Sequence, residues 1–102
     1  YMEEVREGFL TKQGRIVKNW KRRYFVLFKN GELQYFTSEA KDKMMGSVNV
    51  KETLRLEGDT KTSMSGYAFS IVLPSRTLVL ISDGYPEGKN WEESIRKVIS
   101  GR

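Results

Sequence analysis

Short apolar runs recur along the chain with turn residues between them, the signature of antiparallel strands, and only the C-terminal end has a helical period. The spacing predicts strands over Val5–Lys12, Trp20–Phe28 and Glu32–Phe36, the last two joined at Lys29-Asn30-Gly31. Asn-Gly between two apolar runs is a strong hairpin signal, because both residues tolerate the positive φ of a tight turn. A longer polar connection over residues 37–45 leads to shorter strands at about Gly46–Val50 and Leu54–Glu57. The stretch Gly58–Gly66, rich in Gly, Ser, Thr and charge, has no period and reads as an exposed, mobile loop. Tyr67–Leu73 and Arg76–Ile81 form a last hairpin across Pro74-Ser75.

After Asp83-Gly84, residues Trp91, Ile95, Val98 and Ile99 fall at i, i+4, i+7 and i+8. They share one face of an amphipathic helix covering roughly Pro86 to Ile99, with Trp91 in its core contact. Pro86 suits the first turn, where a missing N–H costs nothing. Seven short strands and a helix cannot all bury an apolar face in one flat sheet. The expected fold is therefore mainly β: a seven-stranded, partly open antiparallel barrel of two near-orthogonal sheets, capped by the C-terminal amphipathic α-helix. At 102 residues, the expectation is one domain.

Composition narrows the chemistry. Cysteine and histidine are both absent, which removes disulfides, thiolate sites, the commonest general base and the commonest transition-metal ligand. No nucleophile elbow, P-loop or metal-ligand spacing occurs, so the expectation is a non-enzyme with no cofactor and no metal site. No apolar run approaches the roughly 18 to 20 residues needed to span a bilayer, and an unstapled small domain suits a reducing compartment, so the expected location is cytoplasmic.

The net charge of +5 is concentrated in residues 12–23, where Lys12, Arg15, Lys18, Lys21, Arg22 and Arg23 stand without any acid. Strand alternation puts Lys21 and Arg23 on the same face as Phe25 and Leu27, at the end next to the basic loop. If Phe25 and Leu27 face the interior, these two cations line the barrel mouth, where an anionic ligand accounts for them better than stability does. Lys12 can reach the same opening, and a core-facing Leu33 would turn Tyr35 towards it. Tyr35 is equally explained as a packing residue with a wet tip. Arg15, Lys18 and Arg22 are explained either by ligand contact or as charges that protect a hairpin edge. Ile16 and Val17, at the tip of the connection, either fold back on the barrel or enter lipid, and Met44-Met45 offers the same choice between filler and lipid contact.

The runs Arg6-Glu7-Gly8-Phe9-Leu10-Thr11-Lys12-Gln13-Gly14 and Lys18-Asn19-Trp20-Lys21-Arg22-Arg23-Tyr24-Phe25-Val26-Leu27 resemble the opening hairpin of pleckstrin homology domains. They are similar in particular to those of protein kinase B, the cytohesins and the dual adaptor of phosphotyrosine and 3-phosphoinositides. The resemblance continues through Leu33-Gln34-Tyr35-Phe36, Phe69-Ser70-Ile71, Arg76-Thr77-Leu78 and the helix tryptophan Trp91, and so covers nearly the whole chain. It implies that Lys12, Lys21, Arg23 and Tyr35 bind an inositol phosphate headgroup. Arg15, Ile16, Val17, Lys18, Arg22, Lys43 and Arg76 are further candidate headgroup or membrane contacts. The sequence departs from the 3-phosphoinositide pattern before the fourth strand, where Met45 replaces a basic residue and Lys43 lies two positions earlier.

The expected function is thus a phosphoinositide-binding module, excised from a larger protein, that brings its parent to the cytoplasmic face of membranes. Its partners would be phosphoinositide lipids or soluble inositol phosphates and an anionic membrane surface. A protein- or peptide-docking use of the same fold is the alternative, since fold does not dictate function. A nucleic-acid-binding barrel is disfavoured, because such a site spreads its cations along a groove with aromatics between them, whereas here they sit on one hairpin.

Overall fold

The computed structural model describes residues 2–101. Its elements are strands β1 (Glu4–Gln13), β2 (Trp20–Phe28), β3 (Glu32–Phe36), β4 (Met44–Asn49), β5 (Arg55–Glu57), β6 (Tyr67–Val72) and β7 (Thr77–Ser82), then helix α1 (Tyr85–Ile99). A single-turn 3-10 helix over Val50–Glu52 separates β4 from β5. All pairings are antiparallel, in the order β4-β3-β2-β1-β7-β6-β5. The outermost strands β4 and β5 do not pair, so the curled sheet is open along that side as expected for a partly open barrel. Its narrowest joint is β1–β7, where only Thr11↔Ile81 and Lys12↔Leu80 are in register.

The interior is filled from every wall. Leu10, Phe25, Leu27, Leu33, Phe69, Ile71, Leu78 and Leu80 are all essentially solvent-free, and Trp91, Ile95 and Val98 of α1 close over them. The helix packs on β1, β6, β7 and the 3-10 turn, with Trp91 against Gly8 of β1. Pro86 stands in the first helical turn, as its missing N–H requires. A buried carboxylate adds a polar tie: Glu92 accepts a hydrogen bond from the Tyr67 hydroxyl at 2.7 Å and pairs with Arg96. Burial pushes the Tyr67 phenol up, and the bond to Glu92 adds to it.

Two local expectations are revised. The turn after β2 spans Lys29-Asn30-Gly31, and only Gly31 takes positive φ, at 105°, with its N–H donating to Phe28 O. The Asn30 side chain instead accepts from the Glu32 N–H, so this is a three-residue turn ending in a left-handed glycine. Strand β4 begins at Met44 and stops at Asn49, because the Asn49 side chain caps the 3-10 turn by accepting from Lys51 N–H. Strand β2 is buried on both faces from Tyr24 to Phe28. Tyr24, Val26 and Phe28 form a second cluster with Phe36 and Phe9 outside the barrel.

Candidate functional site

Antiparallel pairing brings three connections to one end of the barrel: residues 14–19 between β1 and β2, residues 37–43 between β3 and β4, and residues 73–76 between β6 and β7. At this mouth Lys12 and Lys21 are direct cross-strand partners, and Arg23 follows Lys21 on the same face of β2. Like charges directly opposite on a ladder destabilise it. Here the repulsion is aggravated, because Lys12 is only 9% exposed.

Lys12 is held below the usual lysine range chiefly by burial, and secondarily by the positive charges of Arg76 and Arg23. Among the described residues, Lys12, Lys21, Arg23 and Arg76 have no acidic ion-pair partner. The Arg23 guanidinium donates only to the backbone carbonyl of Arg22, at 3.2 Å, and Arg76 Nε is buried without an acceptor. Four cations thus converge with donors left over.

Tyr35 contributes the face of its ring. Its ring packs on Phe25 at 5.2 Å and lies 5.1 Å from Lys12 Nζ, which rests over the ring face. The cross-strand partner of Tyr35 is Gly46, and a Cβ there would come within 2.5 Å of the Tyr35 hydroxyl. Gly46 is therefore the seat of Tyr35, a role that only the β3–β4 register reveals. Gly46→Ala is expected to push the ring from beneath Lys12 and weaken anion binding several-fold, at a packing cost of about 1–3 kcal/mol. Calorimetric titration with an inositol phosphate, alongside thermal melting, checks it; unchanged affinity would show the seat to be dispensable.

The other candidates divide. Arg15, Lys18 and Lys43 are exposed on the mouth loops, and no ion pair engages them among the described residues. Arg22 is not at the mouth: it lies on the outer face over the Phe9 ring and pairs with Asp83 at 3.2 Å, so its charge is already answered. Ile16 and Val17 do not fold back on the barrel; they are 89% and 68% exposed. Met44 and Met45 are also exposed, at the start of β4. The 37–43 loop is tied to β1 by Lys41, which pairs with Glu7 at 3.2 Å and Glu4 at 3.8 Å. Glu7 also accepts from the Tyr24 hydroxyl, and this bond, then the one to Lys41, holds its carboxyl below the usual range. The Tyr24 phenol is pushed up to about 12, by burial first and by Glu7 second.

The sequence profile of the PH domain family matches residues 4–100. Pleckstrin homology domain-containing protein 1 of Arabidopsis thaliana is 35% identical over 99 residues, covering 92% of this chain and 68% of that protein. The human dual adapter for phosphotyrosine and 3-phosphotyrosine and 3-phosphoinositide is 33% identical, covering 94% of this chain but only 34% of the adapter. A RAC family serine/threonine-protein kinase homolog of Dictyostelium discoideum is 35% identical, over 85% of this chain and 19% of the kinase. The fold matches the C-terminal PH domain of pleckstrin solved with D-myo-Ins(1,2,3,4,5)P5, with a TM-score of 0.76, 24% identity, and 93% and 97% of the two chains covered.

Proposed function

The chain belongs to the PH domain family, and from that premise we propose that it binds the headgroup of a phosphoinositide at the barrel mouth and so attaches a longer parent protein to membranes. The observation that carries this reading is Lys12, buried beside Lys21, Arg23 and Arg76, none of which has an acidic ion-pair partner among the described residues. Such a cluster is costly in the free domain and favourable only with an anion in place. A phosphorylated inositol supplies several oxygens to one small opening. Three charge-assisted hydrogen bonds at about 1.5–3 kcal/mol each give a gross of about 5–9 kcal/mol, against roughly 8 kcal/mol for a micromolar complex before ordering costs. Two relatives support the ligand class: the human adapter is named for a 3-phosphoinositide, and pleckstrin's C-terminal PH domain was solved with inositol pentakisphosphates.

The rim supplies a second contact with the bilayer. Ile16 and Val17 project from the loop that carries Arg15 and Lys18. Burying either side chain in lipid is worth about 1.5–3 kcal/mol, and each nearby cation adds about 1 kcal/mol at an anionic leaflet. No helix among the described residues is long and apolar enough to cross a membrane.

Co-sedimentation with liposomes carrying each phosphoinositide separately tests the proposal. One species should pellet the domain well above phosphatidylserine liposomes of equal charge; equal pelleting would leave only diffuse electrostatics. Ile16→Glu with Val17→Glu should reduce liposome binding about tenfold or more, from the lost burial of two side chains. It should leave affinity for soluble inositol phosphate within about threefold.

A further inference from the structure

At the opposite end of the barrel lies a second cationic feature that the mouth does not explain. A cleft of about 620 Å³ opens between the start of β1, the turn after β2, the 3-10 turn and the C-terminal end of α1. Its volume falls in the range of ligand-binding clefts. Met2 and Val5, each about two-fifths exposed, and the buried Val98 give it an apolar floor. Lys29, Lys51 and Lys97 stand around it, each exposed, and none has an acidic partner among the described residues. Glu3 is the only acid in the lining, and its backbone carbonyl accepts the Lys29 N–H.

These lysines cannot belong to the membrane-facing site. The nine residues of β2 run from the mouth to this end, a separation of about 27 Å at strand rise. That is about three Debye lengths at physiological salt. The cation types differ too. The mouth includes arginines, whose planar forks suit phosphate, whereas the cations that line the cleft among the described residues are lysines, which act as point charges on flexible stems. Among the described residues no aromatic side chain lines the cleft, so they offer no platform for a stacked base. Three point charges on three separate elements, around an apolar floor, complement a chain whose carboxylates are spaced along it and whose apolar side chain lies between them.

We propose that this cleft docks an acidic peptide segment of a partner protein, its apolar side chain over Met2, Val5 and Val98 and its carboxylates on Lys29, Lys51 and Lys97. Because the cleft points away from the mouth, the peptide and a membrane headgroup can be held together. The domain would then report the coincidence of a lipid and a protein.

The test is a phage-displayed library of random nonapeptides, panned at about 0.15 M salt with saturating inositol hexakisphosphate to occupy the mouth. The expected outcome is enrichment of sequences with net negative charge and at least one large apolar residue. Synthetic copies should shift the amide resonances of Lys29, Lys51 and Lys97 and bind at least tenfold more weakly to the combined variant Lys29→Glu, Lys51→Glu, Lys97→Glu. Lys21→Ala should bind them as the parent domain does. The three lysines are exposed, so the variant should keep its melting temperature; if it does not, the resonance map on the unaltered domain decides. Absence of acidic enrichment, resonance shifts centred on Lys12 and Arg23, or equal affinity for the triple variant would each overturn the proposal.

Discussion

Lys12→Met is expected to weaken inositol polyphosphate binding about ten- to a hundredfold while raising the melting temperature of the domain. Lys12 is buried against the Tyr35 ring with only like charges around it, so in the free domain its ammonium is a cost. Methionine keeps most of the stem's packing and removes that cost, for a gain of about 0.5–2 kcal/mol, as is common where a site is strained for function. Lys12→Ala, Lys21→Ala and Arg23→Ala should each weaken binding ten- to a hundredfold, about 1.5–3 kcal/mol for one charge-assisted contact. Lys61→Ala, at a residue paired to Asp59 in the 58–66 loop, should cost only the screened long-range attraction.

The pH dependence follows from the direction of the Lys12 shift. Its folded-state value lies below the ordinary 10.5, and the penalty of the buried charge is fully present at pH below that folded value. The penalty is relieved as pH rises through the depressed folded value, and stability then rises with pH up to the unfolded value. Anion affinity moves the other way, falling as Lys12 loses its proton, and Lys12→Met should lose that part of the alkaline response. Calorimetric titration at several pH values, with melting curves for each variant, measures all of this. A destabilised Lys12→Met, or equal affinity losses for Lys61→Ala and Arg23→Ala, would count against the mouth.

Trp91→Ala is expected to carry the largest stability loss, about 3–5 kcal/mol. The Trp91 side chain is fully buried at the junction of α1 with the barrel, against Gly8 and 6.0 Å from the Arg6 guanidinium. Gly8 has no side chain to swing into the void, so little collapse can offset the cavity. Set against the 5–15 kcal/mol that a domain usually has, the loss is a large share of the total. Urea denaturation followed by circular dichroism gives the answer, and an unchanged midpoint would refute it. Trp91→Phe should cost less, because the indole N–H is buried without an acceptor and its removal returns part of the loss.

The elements that were legible in the sequence are those where one physical signal dominated. The i, i+4, i+7, i+8 stripe located the helix, and alternation through Lys21, Arg23, Phe25 and Leu27 placed two cations and two core residues on one wall. Alternation says nothing of what covers Tyr24, Val26 and Phe28 on the outer face of β2, because their cover comes from Phe9 and Phe36 on other strands. Alternation set Arg22 on the face opposite Lys21 and Arg23, but its answering charge, Asp83, is distant in sequence and meets it only through the β1–β7 joint. Gly46 gave no signal, since the need for a missing side chain arises only when β3 and β4 are in register. The lysines of the far cleft are scattered at 29, 51 and 97, and no window along the chain contains them together.

The β1–β2 connection leaves one further consequence. Its base is closed by the Gly14 N–H donating to Asn19 O at 2.7 Å, directly after the last strand pair, Gln13↔Trp20. Whatever lies beyond that clasp is mechanically separate from the ladder. Doubling the length of such a loop costs only about 0.6 kcal/mol in closure entropy. The core residues Leu10, Phe25 and Leu27 sit deeper on the same strands and do not register the change. Rim and barrel are therefore separable units of inheritance: the tip can be lengthened, recharged or exchanged, and what it contacts can diverge, while the scaffold is handed down intact.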